Sequence, residues 1–528
     1  MSKQDLAADS GDAIGAAAKG VASGAEALAH SQGKRRQVLL AAGIGSFVLT
    51  VDMFVVTVAL PRIATAFAAP PDLIGWVVAA NALAQGVLTL AMGRLGDILG
   101  RKRVYMSGLA LFLLGSIGCG LAQSIWQLIA FRALQGVAAA SMWPGTLSLL
   151  VQAFPASQRG KAIGLSGGIA GIGLIIGPPL GGLLAQAESW RFVFFVNVPV
   201  VLAALWFTWR GVSESRDHTV PKTIDWGGVV LLTTALTLLL IGLRSGWTSS
   251  WLAPPTLVLL GGAVVFGLAF VWLESRLKHP LVEVSLFANR TFAIACGCAF
   301  LFYAANFGAL PYLSLFTQNF LGYGPLEGGL AFIPATAPVA VMMLFGGTLA
   351  QRHADRIGVL FAISGICLMA AGIYLIFMLT PEHGYWLGLL PSYVVRGVGI
   401  GLMISATSYA AVTALPPEKS GLTSGTVSMA RQVGTAFGVG LCAMAYNNAL
   451  QSALPPAAAG NAPALAAAVR FHVAGPPDVP ASLAPALGQA IVDGLIGMTV
   501  MTTAVFALVV ALTSFIRRPK KPRLAPAQ

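Results

Sequence analysis

Asp52 is the residue best placed to do chemistry. It stands in SFVLTVDMFVVTVALP, in the middle of an apolar run from about 38 to 60. A charged side chain at the centre of a bilayer costs about 2.5–3.5 kcal/mol on insertion scales, so a carboxyl kept there calls for a task. Desolvation disfavours its anionic form, which suits it to take up a proton on one side and release it on the other. The plainer role for the same residue is a hydrogen bond at a helix packing point.

Arg132, in FRALQGVAAAS, is its natural counterpart. The guanidinium can pair with Asp52 or with an acid on a ligand, and a change of partner would couple the two; a fixed bond to backbone carbonyls is the alternative. Arg396 and Arg431 lie at similar depth in later apolar runs. The polar stretch GRLGDILGRKRV, Gly93 to Val104, is crammed between two long apolar runs. Its glycines Gly93, Gly96 and Gly100 allow a tight turn and close helix approach. Asp97 lies among Arg94, Arg101, Lys102 and Arg103, where it can exchange ion-pair partners as helices move. A basic turn of this kind also sets topology, since Lys and Arg are retained on the cytoplasmic side.

The run GGIAGIGLIIGPPLGGLL holds Gly173, Gly177, Gly181 and Gly182 with Pro178 and Pro179. Its G-x-G-x-x-x-G is no nucleotide loop, because neither a preceding strand nor a following Lys-Ser/Thr is present. The glycines make a smooth face for close helix contact, and the prolines bend the helix.

The elements that position these residues follow from composition. Of 528 residues, 56% are hydrophobic and 10% charged, with a mean hydropathy of +0.79. A soluble domain carries about 25% charged residues, so this is a polytopic membrane protein built of helices of roughly 20 residues rather than barrel strands. The net charge of +13 is spread over short loops and tails, which reads as topology and not as a nucleic-acid surface. Basic residues gather on one side, leaving Arg62, Arg191, Arg244 and Arg470 on the other. Both termini are therefore expected in the cytoplasm, with about fourteen spans between them. The five cysteines fall in apolar runs without zinc or disulfide spacing and read as small core residues. No metal site is expected, and the His and Cys clusters of an intramembrane hydrolase are missing, which argues against an enzyme.

The second half echoes the first. ALP at Ala59–Pro61 recurs at Ala309–Pro311, D-x-x-G at Asp97 recurs at Asp355, and Arg132 matches Arg396. Such ordered echoes point to parallel repeats. The expected organisation is a tail (1–36), a six-helix bundle (37–210), a linker with two extra helices (211–290), a second six-helix bundle (291–516, with an external loop at 446–488) and a basic tail (517–528). The amino-terminal stretch lacks the apolar core and cleavage site of a signal peptide.

The G-x-x-x-D-x-x-G-R-K spacing resembles the loop between the second and third spans of the major facilitator superfamily of secondary transporters. G-x-x-x-G-P-P-x-G-G at Gly173–Gly182 is similar to the antiporter motif of its drug-efflux members. With DMFVVTVALP, RALQG and WRFVFFVNVP, the chain resembles the fourteen-span drug:proton antiporters over about residues 38 to 445. The resemblance implies an all-α major facilitator fold of two bundles plus two inserted helices. It also implies proton binding at Asp52, an inner gate locked by Asp97 and Arg101 with Gly93, Gly100 and Lys102, and glycines of the fifth span that limit leak. Met53, Phe54 and Thr57 depart from the family's usual polar run, and QRHADRIG is a degenerate second gate loop.

The expected substrate cavity draws on Asn81, Gln85, Gln135, Trp143, Tyr303, Asn306, Phe307, Tyr312, Arg396, Tyr409 and Arg431. With one acid near it, the expected cargo is a neutral, monovalent or anionic amphiphile rather than a dication. The implied activity is export of small amphiphilic drugs or antibiotics across a bacterial inner membrane, driven by the proton gradient without a cofactor. Rival readings are a dedicated exporter of one metabolite and, in another class, a sensor or channel. A channel would show currents far above transporter turnover. A periplasmic adaptor is left open by the residues.

Overall fold

The computed structural model describes residues 3–515 apart from 70, 187–188, 217–224, 249–251, 278–279, 281, 354–356, 381–382, 414–419 and 457–480. Every regular element among the described residues is helical. The helices are α1 (Lys3–Ala66), α2 (Pro71–Leu99), α3 (Arg101–Leu121), α4 (Ile125–Ala153), α5 (Ala156–Gln186) and α6 (Phe192–Gly211). Then come α7 (Trp226–Thr248), α8 (Pro254–Arg276) and α9 (Arg290–Phe320). The last five are α10 (Pro325–Leu330 with Ile333–Arg352), α11 (Ile357–Met378), α12 (Gly384–Leu389 with Leu390–Thr413), α13 (Ser420–Ala453) and α14 (Ala484–Thr513). Thirteen of the helices are long and apolar enough to cross a membrane. The remaining one, α13, is 34 residues long, and Arg431, Gln432, Asn447 and Asn448 lower its hydropathy. It packs among the others, against α2, α9, α12 and α14.

The repeat heard in the sequence is a repeat of packing. In the first half α1 packs on α5 and α6, α4 on α2 and α3, and α3 on α6. In the second half α9 packs on α13 and α14, α12 on α10 and α11, and α11 on α14. Small residues set the closest approaches, because helices in lipid associate by van der Waals fit. Gly173, Gly177 and Gly181 recur every four residues on α5 and lie against Phe47, Val51, Phe54 and the backbone of Val55 on α1. On α13, Gly434 and Gly438 do the same against the carbonyls of Phe300 and Ala304 on α9.

The halves meet along α2 with α13 and along α5 with α10. Gly182 abuts the backbone at Pro325 and Leu326, and Gly329 abuts the carbonyl of Pro178. Gln318 Nε2 donates to the Val58 carbonyl at 2.8 Å across the same end. Toward the opposite end of α5, where the α2–α3 junction lies, Gly164 and Gly167 meet no described atom within 4 Å. The α7–α8 hairpin stands outside both bundles, against α2 and α13.

Three expectations change. Gly93–Val104 is not a loop: α2 runs through Leu99, α3 starts at Arg101, and Gly100 at φ 116° is the single joint. Leu95, Ile98 and Leu99 continue the helical pattern, and only a residue free of a Cβ takes that φ cheaply. Part of the segment expected as an external loop at 446–488 is helical, since α13 persists to Ala453 and helix occupies Ala481 onward, while 457–480 lies outside the described residues. The expected amino-terminal tail is helical from Lys3, with the membrane-length part beginning at Gln32. Asp355, Arg470 and the basic tail from 517 lie outside the described residues.

Candidate functional site

Asp52 and Arg132 form a buried ion pair, Nη1 to Oδ2 at 2.6 Å. The pair crosses from α1 to α4, and three further helices close around it. Asn197 Nδ2 on α6 donates to Asp52 Oδ1 at 2.9 Å, and Gln135 Nε2 reaches the same oxygen at 3.4 Å. Arg132 also donates through Nη1 to Gln135 Oε1 at 2.9 Å and through Nε to the Val77 carbonyl of α2 at 3.0 Å. Ser116 Oγ on α3 accepts from Gln135 at 2.8 Å, and Asn81 Nδ2 donates to the Arg132 carbonyl at 3.3 Å. A buried ion pair is tolerated when its remaining donors and acceptors find partners, and here amides and a backbone carbonyl supply several of them.

This arrangement changes the picture drawn from the sequence. Arg132 makes both of the bonds that the sequence offered as alternatives, one to Asp52 and one to a backbone carbonyl. Gln135, expected in the cavity, is wholly buried inside this network. Two further acids lie in membrane-length helices, nearer the helix ends than Asp52. Glu274 is buried in the last turn of α8, where Oε2 accepts from the Val282 amide at 3.0 Å. Asp493 lies within α14 and accepts from Gln489 at 3.0 Å.

At the α2–α3 joint, Asp97 and Arg101 pair within one turn at 2.7 Å. The rest of the cluster docks on the end of α6. Lys102 Nζ donates to the Trp209 carbonyl at 2.7 Å, and the Lys102 and Arg101 amides donate to Glu214 Oε1 at 3.1 Å and the Ser215 carbonyl at 3.0 Å. Arg103 lies 3.6 Å from Glu214. A side chain at Gly100 would meet the Glu214 carboxylate. Sequence reasoning missed Glu214, which sits more than a hundred residues downstream.

A largely apolar cavity lies between the halves. Phe54 and Leu174 come from the first half, and Asn306, Phe307, Arg396, Ile400 and Ile404 come from α9 and α12. Of the expected lining residues, Asn306, Phe307 and Arg396 are there. Arg396 Nε donates to Asn306 Oδ1 at 2.8 Å. Tyr303 stacks on Phe307 with centroids 4.8 Å apart, and the Arg431 guanidinium lies 5.6 Å from the Tyr303 ring centre. Tyr312 faces the second-half core instead, 5.4 Å from Tyr446. Trp143 and Tyr409 are not on the wall, Asn81 serves Arg132, and Gln85 is buried on α2. Phe332, Thr336 and Tyr393, which line the cavity, carried no sequence signal beyond lying in apolar runs.

The chain and its fold are similar to known proteins. A family model described as Major Facilitator Superfamily matches residues 42–439. Multidrug resistance protein Stp of Mycobacterium tuberculosis is 35% identical over 76% of this chain and 74% of its own length. Multidrug resistance protein 3 of Bacillus subtilis is 30% identical over 77% of this chain and 79% of its own. The tetracenomycin C resistance and export protein of Streptomyces glaucescens is 31% identical over 77% and 75%. Among solved structures, a bacterial homologue of the human lysosomal transporter Spinster superposes with a TM-score of 0.62 at 19% identity, covering 91% of this chain and 96% of that one. A POT family transporter superposes with a TM-score of 0.61 at 12% identity over 91% and 96%.

Proposed function

This chain belongs to the Major Facilitator Superfamily, and from that premise we propose that it is a proton-coupled antiporter exporting small amphiphilic drugs or antibiotics across a bacterial inner membrane. The relatives named for multidrug resistance support the cargo class. The observation that carries the coupling is the buried Asp52–Arg132 pair, since an intramembrane carboxylate that shares its charge with one arginine can trade that partner for a proton.

On this reading both termini are cytoplasmic, and the end of α5 that meets α10 is the external end. The contacts of Gly182 and Gly329 there support a state closed to the outside. Substrate enters the cavity from the cytoplasm, the bundles rock, and it leaves outward. A proton arriving from outside neutralises Asp52 and frees Arg132, so protonation and repacking of α1 against α4 are one event. Inward proton movement supplies about 2.3 kcal/mol per 100 mV for each uncompensated charge. No cofactor is needed, and the Asp97–Arg101 cluster, docked on α6, acts as the inner gate.

Everted vesicles test the reading. A panel of amphiphilic cations, neutral drugs and acids is added, and proton release is compared between wild type and Asp52→Asn. The expected outcome is substrate-evoked proton movement that the variant loses while it still binds the compound. Equal flux in both proteins removes Asp52 from the mechanism. The tetracenomycin relative names one compound, and a response confined to one member of the panel would replace the multidrug reading with a dedicated exporter.

A further inference from the structure

The two halves treat their equivalent buried arginines differently. In the first, Arg132 on α4 faces Asp52 on α1 and the charges cancel. In the second, Arg396 holds the matching place on α12, and the residue facing it from α9 is Asn306. Nε donates to Asn306 Oδ1 at 2.8 Å and Nη2 reaches the Asn306 carbonyl at 3.5 Å; both acceptors are neutral. Among the described residues Nη1 has no protein acceptor, and no carboxylate lies within 4.0 Å of the guanidinium. Arg396 is 8% exposed, and it lines the cavity.

A second cation stands close by. Arg431 on α13 donates to Thr407 Oγ1 at 2.9 Å, Ser408 Oγ at 2.8 Å and the Ile404 carbonyl at 3.4 Å, again all neutral. Its Nε is buried without an acceptor. Ile404 is itself on the cavity wall, two turns along α12 from Arg396, or about 12 Å at the helical rise. No Asp or Glu lines the cavity.

A cationic ligand is repelled by this wall, and a neutral one leaves the arginine uncompensated. A carboxylate supplies the charge that Asp52 supplies in the other half, and an arginine fork suits it. We infer that the cavity takes amphiphilic organic acids, with the ligand's carboxylate against the Nη1 side of Arg396 and its apolar body between Phe54, Leu174 and Phe307. Arg431 forms a second anion station toward the end bearing the α2–α3 joint. The direction of transport rests on the antiporter reading, whereas binding of the acid does not.

The test uses a matched set with one apolar body: 1-naphthylacetate, 1-naphthylacetamide and 2-(1-naphthyl)ethylammonium. Binding to the purified full-length protein is measured at equilibrium. Flux is measured in proteoliposomes under an imposed pH gradient. The acid is expected to bind about tenfold or more tighter than the other two. Asn306→Asp places a carboxylate opposite Arg396, copying the first half, and is expected to abolish that preference. Arg396→Lys keeps the charge and is expected to keep a reduced preference for the acid. Preference for the ammonium, a preference unmoved by Asn306→Asp, or no binding of any member overturns the inference. Acid binding without gradient-driven flux leaves the site standing and defeats the antiporter reading. Flux of ammonium and amide without acid binding does the reverse.

Discussion

A single charge at each of positions 52 and 132 ties five helices together, and the energetics of that pair are asymmetric. Removing one partner strands the other in a buried site, which costs about 3–5 kcal/mol, whereas removing both together is often close to neutral. Arg132→Gln is therefore expected to lower the thermal unfolding midpoint of the purified protein sharply. The double variant Asp52→Asn with Arg132→Gln is expected to recover most of that loss and still to show no substrate-evoked proton movement. A double variant no more stable than Arg132→Gln alone would mean that the pair does not close on itself in the folded protein. Both charged residues were legible in the sequence, because ionisable groups within apolar runs are rare. Asn197 and Ser116 were not, although Asn197 stands in the quoted WRFVFFVNVP. An amide or hydroxyl within a membrane helix is common, and only the packing of α6 and α3 against α1 and α4 brings Asn197 to Asp52 and Ser116 to Gln135.

At the scale of elements, the glycine-rich stretch of α5 does two jobs on two faces. Gly173, Gly177 and Gly181 seat α5 on α1 within one half, and Gly182 seats it on α10 across the two halves. The spacing of four made the first face readable from the sequence. The second face was not readable, since nothing in the chain says which helices of opposite halves touch. The same limit hid Glu214: the polar Gly93–Val104 stretch was plain, but its docking partner arrives from the far end of α6. A valine at 182 must push against the backbone of Pro325 and Leu326, and overpacking at a close helix contact costs about 1–3 kcal/mol. Gly182→Val is expected to disfavour the state closed at that end and to raise substrate-independent proton leak in everted vesicles. Gly164→Val, which meets open space, is expected to leave leak at the wild-type level. Equal leak in the two variants would show that α5 and α10 do not form the seal.

The whole molecule is two like bundles with a hairpin set aside. The six-plus-two-plus-six order was legible in three short echoes, and the paired contacts of α1 with α5 and α9 with α13 give it physical meaning. Which end closes was not legible, because closure is a relation between halves. The bundles touch one another directly through α2 with α13 and α5 with α10, so their association does not pass through α7 and α8. The hairpin covers Leu83, Val87, Leu90 and Ala436, a wholly apolar patch. Lipid tails are as apolar as leucine, so exposing this patch to the bilayer carries no hydrophobic penalty. Removing two consecutive helices also returns the chain to the same face, which preserves the orientation of everything after it. Deletion of residues 225–277 is therefore expected to give a membrane-inserted protein that unfolds in one cooperative transition and retains the Asp52-dependent proton movement. Aggregated product, or a second half inserted in the opposite orientation by cysteine accessibility at its loops, would make the hairpin a structural member of the transporter.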